Sequence, residues 1–223
     1  EDRETTIIDG GQNGSVVTFN TEETEMAILS RITLQNGHNS EGEAGGIKIN
    51  SASPTIENVI VQGNHGGHGS GITVFGGSPL ILNSVIKENV QTGLYCFDAI
   101  VELEYLTAYN NGENELVISN CIVDINRSTI IGDIYGPYNA GCDCGVVTNV
   151  TIVNSIFNSY EGVNPIASSY SHLISVNADP EFTDPENGDY SLSWINYPIE
   201  DETKSPCIDA GDHNSELDPD GTR

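Results

Sequence analysis

Five residues of types that can bind sugars alternate with apolar residues in three short segments. They are Lys48, Thr73, Phe75, Tyr95 and Phe97. If the segments are β-strands, their apolar neighbours face a core and these five face outwards, in rows about 4.8 Å apart. Pyranose rings can stack on aromatic rings in adjacent rows, and a contiguous exposed apolar patch usually has a binding function. The alternative is that a loop or the C-terminal tail covers the aromatic residues.

Catalysis on a polysaccharide would need acidic or basic groups beside this strip. Lys48 is the cation on the strip, and Asp98 is the acid at the end of one of its strands. A lyase that cleaves uronic acid polymers needs a base and a group that neutralises the substrate carboxylate, and a glycoside hydrolase needs paired carboxylates. Lys48 and Asp98 are thus the catalytic candidates, but both constellations are incomplete and the sequence favours binding.

Carboxylates and histidines suggest three metal sites. Carboxylate oxygens are ligands for Ca²⁺, and imidazoles bind transition metals or respond to pH. The candidates are Asp209, Asp212, Asp218 and Asp220 in the tail; Glu102, Glu104 and Asp124 on neighbouring strands; and His38 and His65 at equivalent positions of two repeats, with His68 nearby. For each group, solvated side chains without a metal are the alternative.

The cysteines do not indicate a disulfide framework. There are five, Cys96, Cys121, Cys142, Cys144 and Cys207, and their spacing is irregular. The "GCDCG" stretch at residues 141–145 lacks the second cysteine pair typical of a zinc site. Cys96 lies at an apolar strand position and is expected to be a buried thiol, whereas the pairing of the others stays open.

The charge excludes some partners. Asp and Glu outnumber Lys and Arg by 33 to 7, giving a formal charge of −26. Such a surface repels nucleic acid and anionic membranes and attracts divalent cations. We find no run of about 18 apolar residues and no signal-peptide pattern at the start. We therefore expect no nucleic-acid partner and no direct membrane insertion, and we expect any export signal or anchor to lie outside this chain.

The elements that position these residues belong to a repeat. "SASPTIENVIVQGN", residues 51–64, is followed 25 residues later by "GGSPLILNSVIKEN", residues 76–89. Both contain an apolar residue, an Asn two positions on (the turn position), a second apolar residue and a closing Asn (the closing position). The frame recurs with leading residues Leu29, Ile56, Ile81, Leu103, Ile125 and Ile152. A period of 22 to 27 residues is typical of a solenoid.

Each copy predicts three short strands. A strand, such as the one containing Ile47 and Ile49, precedes the leading residue by nine positions in four copies, and in three of them it begins just after a glycine. Gly, Ser-Pro and Asn mark the turns between strands. A leucine-rich repeat is the rival interpretation, but its return segment is helical, and stretches such as "GGIKINSASP" have poor helix propensity and alternate as strands do.

The coils "GGIKINSASPTIENVIVQGN" and "GSGITVFGGSPLILNSVIKEN" resemble those of the right-handed parallel β-helix, the pectate-lyase-like superfamily. In that family a left-handed Asn often turns one strand into the next, which implies this role and a stacked amide ladder for Asn58, Asn83 and Asn154. The same turn position holds Arg31, Tyr105 and Arg127, which would interrupt the ladder. The sheet that carries the aromatic strip lines a polysaccharide groove in these relatives.

The tail from "ADPEFTDPENG" onwards resembles the end of secreted bacterial and archaeal β-helix surface proteins. The sequence thus predicts an all-β, right-handed three-sided parallel β-helix, with coils over 1–173 and an irregular capping segment of the same domain over 174–223. Residues 1–15 are expected to cap the other end.

For function, the sequence favours an extracellular or cell-surface module that binds polysaccharide or another surface ligand without catalysis and uses Ca²⁺ for stability. The alternative is a polysaccharide lyase or glycoside hydrolase acting on uronic acid polysaccharide. The resemblance implies a fold more directly than a reaction, because the superfamily includes lyases, hydrolases, adhesins and structural proteins.

Overall fold

The computed structural model describes residues 2–39, 43–136, 149–161, 166–169, 171–174, 179–199 and 201–208. Its strands in chain order are β1 (Ile7–Asp9), β2 (Val17–Phe19), β3 (Ile28–Gln35), β4 (Ile47–Asn50), β5 (Thr55–Gln62), β6 (Ile72–Phe75), β7 (Leu80–Leu82), β8 (Val85–Lys87), β9 (Leu94–Phe97), β10 (Ile100–Glu104), β11 (Thr107–Tyr109), β12 (Leu116–Ser119), β13 (Ile122–Asn126), β14 (Thr129–Tyr135), β15 (Asn149–Val153), β16 (Ile156–Glu161), β17 (Ile166–Ser169), β18 (His172–Leu173), β19 (Phe182–Asp184) and β20 (Asp189–Leu192). A 3₁₀ turn, Pro185–Asn187, joins the last two. No helix among the described residues is long and apolar enough to cross a membrane.

The strands β1 to β18 pair in parallel and form three faces. The first face contains β2, β4, β6, β9 and β12. The second contains the starts of β3 and β5, then β7, β10, β13, β15 and β17. The third contains β1, the ends of β3 and β5, then β8, β11, the starts of β14 and β16, and β18. The result is a parallel β-helix of about six coils, which confirms the predicted fold.

The strand register reproduces the sequence frame. Ile56 lies opposite Leu29 on one side and Ile81 on the other, and Leu103 continues the row to Ile125. From Ile56 onwards these side chains are at most 1% exposed and form part of one continuous core. A slip of one residue would turn the whole row outwards, so the apolar pattern fixes the register.

The corner between the second and third faces has one conformation in every copy of the frame. The six residues at the turn position have φ between 48° and 58° and are Arg31, Asn58, Asn83, Tyr105, Arg127 and Asn154. Asn tolerates this left-handed region, whereas other residues with a Cβ are disfavoured there by roughly 1 kcal/mol. The turn predicted from the resemblance is therefore present even where Asn is replaced.

Replacing Arg31 by Asn should raise the free energy of unfolding by roughly 0.5–1 kcal/mol, because Asn adopts the left-handed conformation at lower cost. Arg31 is exposed, so little packing is lost. Urea denaturation measures the change. Ser30, an exposed neighbour outside the left-handed region, provides the matched control Ser30→Asn, which should not stabilise the protein. A gain no larger for Arg31→Asn than for Ser30→Asn would contradict the explanation.

A buried amide ladder lies at the closing position of the frame. The Oδ1 atoms of Asn64, Asn89 and Asn111 accept hydrogen bonds from the backbone N–H groups of Gly37, Asn64 and Asn89, at 2.9, 3.1 and 3.1 Å. The side-chain amides of Asn64 and Asn89 also donate to the next Asn, at 3.1 and 2.9 Å. The ladder therefore joins four successive coils through the core.

This location corrects the predicted one. Asn83 is exposed, and Asn58 and Asn154 are only half-buried at the corner, where Asn154 donates to Asn126 at 3.4 Å. The closing position instead points inwards, since Asn64 and Asn89 are at most 2% exposed. The amides that stack in the core are thus the closing ones.

Glu115 ends this ladder. Its carboxylate accepts hydrogen bonds from the backbone N–H of Asn111, at 3.3 Å, and from the Asn111 side-chain amide. Glu115 is 3% exposed, and burial raises its pKa to about 7 against the lowering effect of the Asn111 hydrogen bonds. Gly132 makes room for it, because a Cβ on that residue would lie 2.6 Å from the Glu115 side chain.

The described part of the C-terminal segment packs on the side of the coils. Strands β19 and β20 form an antiparallel hairpin. Tyr190 on the hairpin contacts Tyr109 on the outside of β11, with ring centroids 4.8 Å apart, and Phe182 contacts Tyr190 edge-on at 5.2 Å. This contact is with the third face rather than the end of the helix. Residues 209–223 lie outside the described residues, so capping of the end by the tail stays a prediction.

Candidate functional site

The predicted aromatic strip lies on the outside of the first face and includes a histidine. Tyr95 on β9 stacks against His68, with ring centroids 5.0 Å apart and planes 26° apart. Phe75 on β6 contacts both rings edge-on, at 6.0 Å from Tyr95 and 6.1 Å from His68. His68 comes from the loop between β5 and β6. The sequence placed this histidine near His38 and His65, but its ring lies on the aromatic strip.

The strip is covered at one end and open at the other. Tyr95 and Phe75 are half-buried, and burial raises the pKa of Tyr95, which keeps its hydroxyl neutral. Phe97 lies opposite Phe75 in the register of β6 and β9 and is 39% exposed. Phe97 is therefore the most accessible ring surface of the strip.

Thr73 is not accessible on this face. It is fully buried, and its hydroxyl donates to the Gly69 carbonyl and accepts from the Gly69 N–H, both at 3.2 Å. The loop can lie this close because Gly69 has no side chain; a Cβ there would lie 2.9 Å from Tyr95. The prediction that Thr73 binds a ligand was wrong for this reason, and a loop does cover this part of the strip.

Lys48 forms a salt bridge with Glu43. Its ammonium lies 2.6 Å from a carboxylate oxygen of Glu43, and its side chain is 21% exposed. Two strand spacings separate Lys48 from Tyr95, about 10 Å, and Asp98 lies three residues further along the chain. The two catalytic candidates are therefore not brought together into one site.

Asp98 lies in an open cleft at the corner between the first and second faces. The cleft has a volume of about 630 Å³ and is lined by Gly77, Ser78, Asp98, Ala99, Ile100, Asn120, Cys121 and Ile122. The Asn120 amide donates a hydrogen bond to the Asp98 carboxylate. Ile100 and Ile122 are 48% and 43% exposed. Because Phe97 directly precedes Asp98, the aromatic strip and the cleft form one continuous surface, which we call the binding face.

Sequence reasoning missed this cleft, although a signal was present. Ser51, Gly76, Asp98 and Asn120 occupy equivalent corners of four coils, and all have positive φ. Small or turn-forming residues recurring with the period of the coil could have identified a second left-handed corner beside the strip.

The carboxylates of the second face do not form the predicted three-residue metal site. Glu104 is held by Arg127 at 2.9 Å, and the guanidinium of Arg127 also lies over the Tyr105 ring at 5.5 Å. Glu102 and Asp124 lie opposite each other on β10 and β13. Among the described residues, no three His, Cys, Asp or Glu side chains are grouped so that they could hold a metal ion.

His38 and His65 stack in consecutive coils. Their backbones form a parallel bridge, and their ring centroids are 4.4 Å apart with planes tilted by 32°. Nitrogen lone pairs lie in the plane of each ring, so lone pairs of stacked rings do not converge on one metal ion. The predicted pair therefore exists, but its geometry does not favour chelation.

Some candidates lie outside the described residues: Asp209, Asp212, Asp218, Asp220, Cys142 and Cys144. Of the described cysteines, Cys96 is buried as predicted, and Cys96, Cys121 and Cys207 are free thiols.

One solved structure with a similar fold is the crystal structure of pectate lyase Pel9A. It has 16% sequence identity and a TM-score of 0.48, and the alignment covers 92% of this chain and 66% of the lyase chain. The chain thus spans slightly less than two thirds of that lyase. A search of curated proteins gave no match.

A protein-family model described as "Disaggregatase related" matches residues 67–211. The matched region contains most of the binding face, from Phe75 to Ile122, and the hairpin that packs on the third face. Because it covers more than half of the chain, the protein belongs to the disaggregatase-related family.

Proposed function

We propose that this protein is an extracellular β-helix module that binds polysaccharide along the binding face. The observation that carries the proposal is the continuity of the Phe75, Tyr95 and Phe97 rings with the open cleft at Asp98. Exposed rings offer apolar surfaces to pyranose rings, and the cleft offers groups that can hydrogen-bond to hydroxyls.

The dimensions of the face suit a polymer. Phe75 and Phe97 lie on adjacent coils, about 4.8 Å apart, and the corner continues to Asn120 on the next coil. The Asp98 carboxylate is an acceptor, and the Asn120 carboxamide is both donor and acceptor, so the pair can bind vicinal hydroxyl groups. An open cleft with exposed Ile100 and Ile122 accommodates a chain that enters and leaves.

The charge indicates the class of polysaccharide. A protein with a formal charge of −26 repels polyanions, and Lys48 is already paired with Glu43. A neutral or amino-sugar polysaccharide therefore suits the binding face better than a uronic acid polymer. This argument weighs against the alternative of a uronan lyase with Lys48 as its base.

The family relation is compatible with this proposal. The word disaggregatase denotes an activity that separates aggregated material, and a module that binds surface polysaccharide would hold such an activity at its target. Stabilisation by Ca²⁺ stays a prediction.

Replacing Phe97 by Ala should weaken polysaccharide binding about tenfold, since a central aromatic anchor typically contributes more than 1 kcal/mol. Affinity electrophoresis in gels containing neutral, amino-sugar and uronic acid polysaccharides measures the retardation. Val90→Ala is the matched control, because Val90 is an exposed apolar residue (54%) that does not line the cleft. Equal retardation of the two variants, shortening of the polymer, or no retardation of the unmodified protein would contradict the proposal.

A further inference from the structure

The ring of His68 forms the outer layer of the aromatic strip above Tyr95. The two rings are stacked, with centroids 5.0 Å apart and planes 26° apart, so the imidazole covers one face of Tyr95. His68 is nevertheless exposed, whereas Tyr95 is half-buried. Because one face of the imidazole lies against Tyr95, its exposed part lies on the outer side of the stack. A ligand on this part of the strip therefore meets His68 before it meets Tyr95.

Two buried hydroxyl groups hold the loop that carries His68. The Ser70 hydroxyl accepts a hydrogen bond from the Gly66 N–H at 3.1 Å and donates one to the Gly66 carbonyl at 3.0 Å. The Thr73 hydroxyl holds Gly69 in the same way, with both distances 3.2 Å. Ser70 and Thr73 are fully buried. The backbone is thus held on both sides of His68 along the chain.

Hydrogen bonds also tie this loop to the coils on either side. The Gly67 N–H donates to the Glu43 carbonyl of the preceding coil at 3.2 Å. The Gln91 N–H of the following coil donates to the Ser70 hydroxyl at 3.1 Å. The loop is therefore ordered in the free protein, so a ligand that contacts the imidazole does not have to order the loop on binding.

His68 and Phe97 offer two separate surfaces to a ligand. Tyr95 and Phe97 are alternate residues of β9, so they point to the same side of the sheet with Cα atoms about 7 Å apart. His68 lies on the first of these positions, and Phe97 is the second. This separation exceeds the width of one pyranose ring, so a ligand that reaches from Phe97 to the imidazole contains at least two sugar residues.

We propose that His68 forms a second sugar subsite of the binding face, which binds the sugar residue next to the one on Phe97. This inference rests on the proposed function. The imidazole offers an apolar face for stacking, and its edge carries one nitrogen donor and one nitrogen acceptor in the neutral form. These groups match the hydroxyl and amide groups of neutral or N-acetylated sugars. The ligand class is thus an uncharged oligosaccharide of two or more residues.

The first test is affinity electrophoresis in gels that contain hydroxyethyl cellulose, glycol chitin or alginate. On the polymer that retards the unmodified protein, we expect His68→Ala to weaken binding about tenfold. We expect His68→Phe to weaken it about threefold, because Phe keeps a stacking surface but loses the nitrogen hydrogen bonds. His65→Ala is the matched control and should bind as the unmodified protein does, because His65 is exposed in the same loop but stacks on His38.

The second test observes the imidazole in the unmodified protein, so it does not depend on how a variant folds. The chain has five histidines, and labelling their rings gives few nuclear magnetic resonance signals. Titration with a hexasaccharide fragment of the retarding polymer should shift the His68 signal and leave those of His38 and His65 in place. In Phe97→Ala the half-maximal shift of the His68 signal should need about tenfold more hexasaccharide, because one ligand occupies both subsites.

The outcomes separate this inference from the proposed function. No retardation of the unmodified protein in any gel would overturn both. If Phe97→Ala bound more weakly while His68→Ala bound as His65→Ala does, only the second subsite would be wrong. Tighter binding by His68→Ala would mean that the ligand must displace the imidazole from Tyr95. A His68 signal that stays in place at saturation would mean that this residue does not contact the ligand. Either result, or retardation by alginate alone, would overturn the inference.

Discussion

Asn89→Ala should lower the free energy of unfolding by about 3–5 kcal/mol, since it leaves several buried polar groups without partners. The Asn89 Oδ1 atom accepts two hydrogen bonds from Asn64, both at 3.1 Å. Its side-chain amide donates to the Val61 carbonyl at 3.0 Å and to Asn111 at 2.9 Å. Asn89 is 2% exposed, so water cannot replace these partners without opening the core. Urea denaturation followed by circular dichroism measures the loss.

Asn126→Ala provides the matched control. Asn126 is a half-buried Asn on the outside of β13 whose Oδ1 atom accepts one long hydrogen bond from Asn154, at 3.4 Å. We expect this variant to lose less than about 1 kcal/mol. If both variants lost the same free energy of unfolding, the amide ladder would not be the structural element described above.

Glu115→Gln should remove a pH-dependent loss of stability of about 3 kcal/mol. The folded-state pKa of Glu115 is about 7, raised above its ordinary value of 4.5 mainly by burial. The folded protein therefore favours the neutral carboxyl, so this stabilisation is complete below about pH 4.5 and is lost as the pH rises through 7. Gln resembles the neutral acid at every pH, and the variant should become the more stable protein above pH 7.

The relevant quantity is the difference in free energy of unfolding between the variant and the unmodified protein from pH 4.5 to 8. Taking a difference removes the contribution of the other acidic groups. Glu113→Gln is the matched control, because Glu113 is exposed and lies two residues from Glu115. For this variant, the difference in free energy of unfolding from the unmodified protein should hardly change with pH. If the difference in free energy of unfolding between Glu115→Gln and the unmodified protein did not change with pH, this carboxyl would not be held neutral by the fold.

The fold could be predicted because the repeat carries two signals at once. The period places Ile56, Ile81 and Leu103 in one row, and alternation within each strand determines which residues face the core. The same alternation located Phe75, Tyr95 and Phe97 on the outside of the first face. These properties follow from local geometry and do not depend on loops.

The remaining features depend on contacts that spacing does not encode. Asn58 and Asn64 belong to the same frame, but only the backbone conformation decides which amide points inwards. The loops bring Glu43 to Lys48, His68 to Tyr95 and Gly69 to Thr73. Alternation along a strand cannot predict such contacts, and they decided which of the candidate site residues are accessible.

Two corners of the same coil contribute different properties. The corner with Asp98 and Asn120 opens into a cleft beside the aromatic strip. The corner with Asn89 and Asn111 is filled by the amide ladder and ends at Glu115. The scaffold thus places the buried amide ladder at a different corner of the coil from the cleft.

The central claim, binding at the Phe97 end of the aromatic strip, is tested most directly by nuclear magnetic resonance of phenylalanine rings. The chain has five phenylalanines, Phe19, Phe75, Phe97, Phe157 and Phe182, so selective labelling gives few signals. On titration with an oligosaccharide of the polymer that retards the protein, the Phe97 and Phe75 signals should shift and saturate together, while those of Phe19, Phe157 and Phe182 stay in place. Saturable binding that leaves the Phe97 signal unchanged would contradict the account.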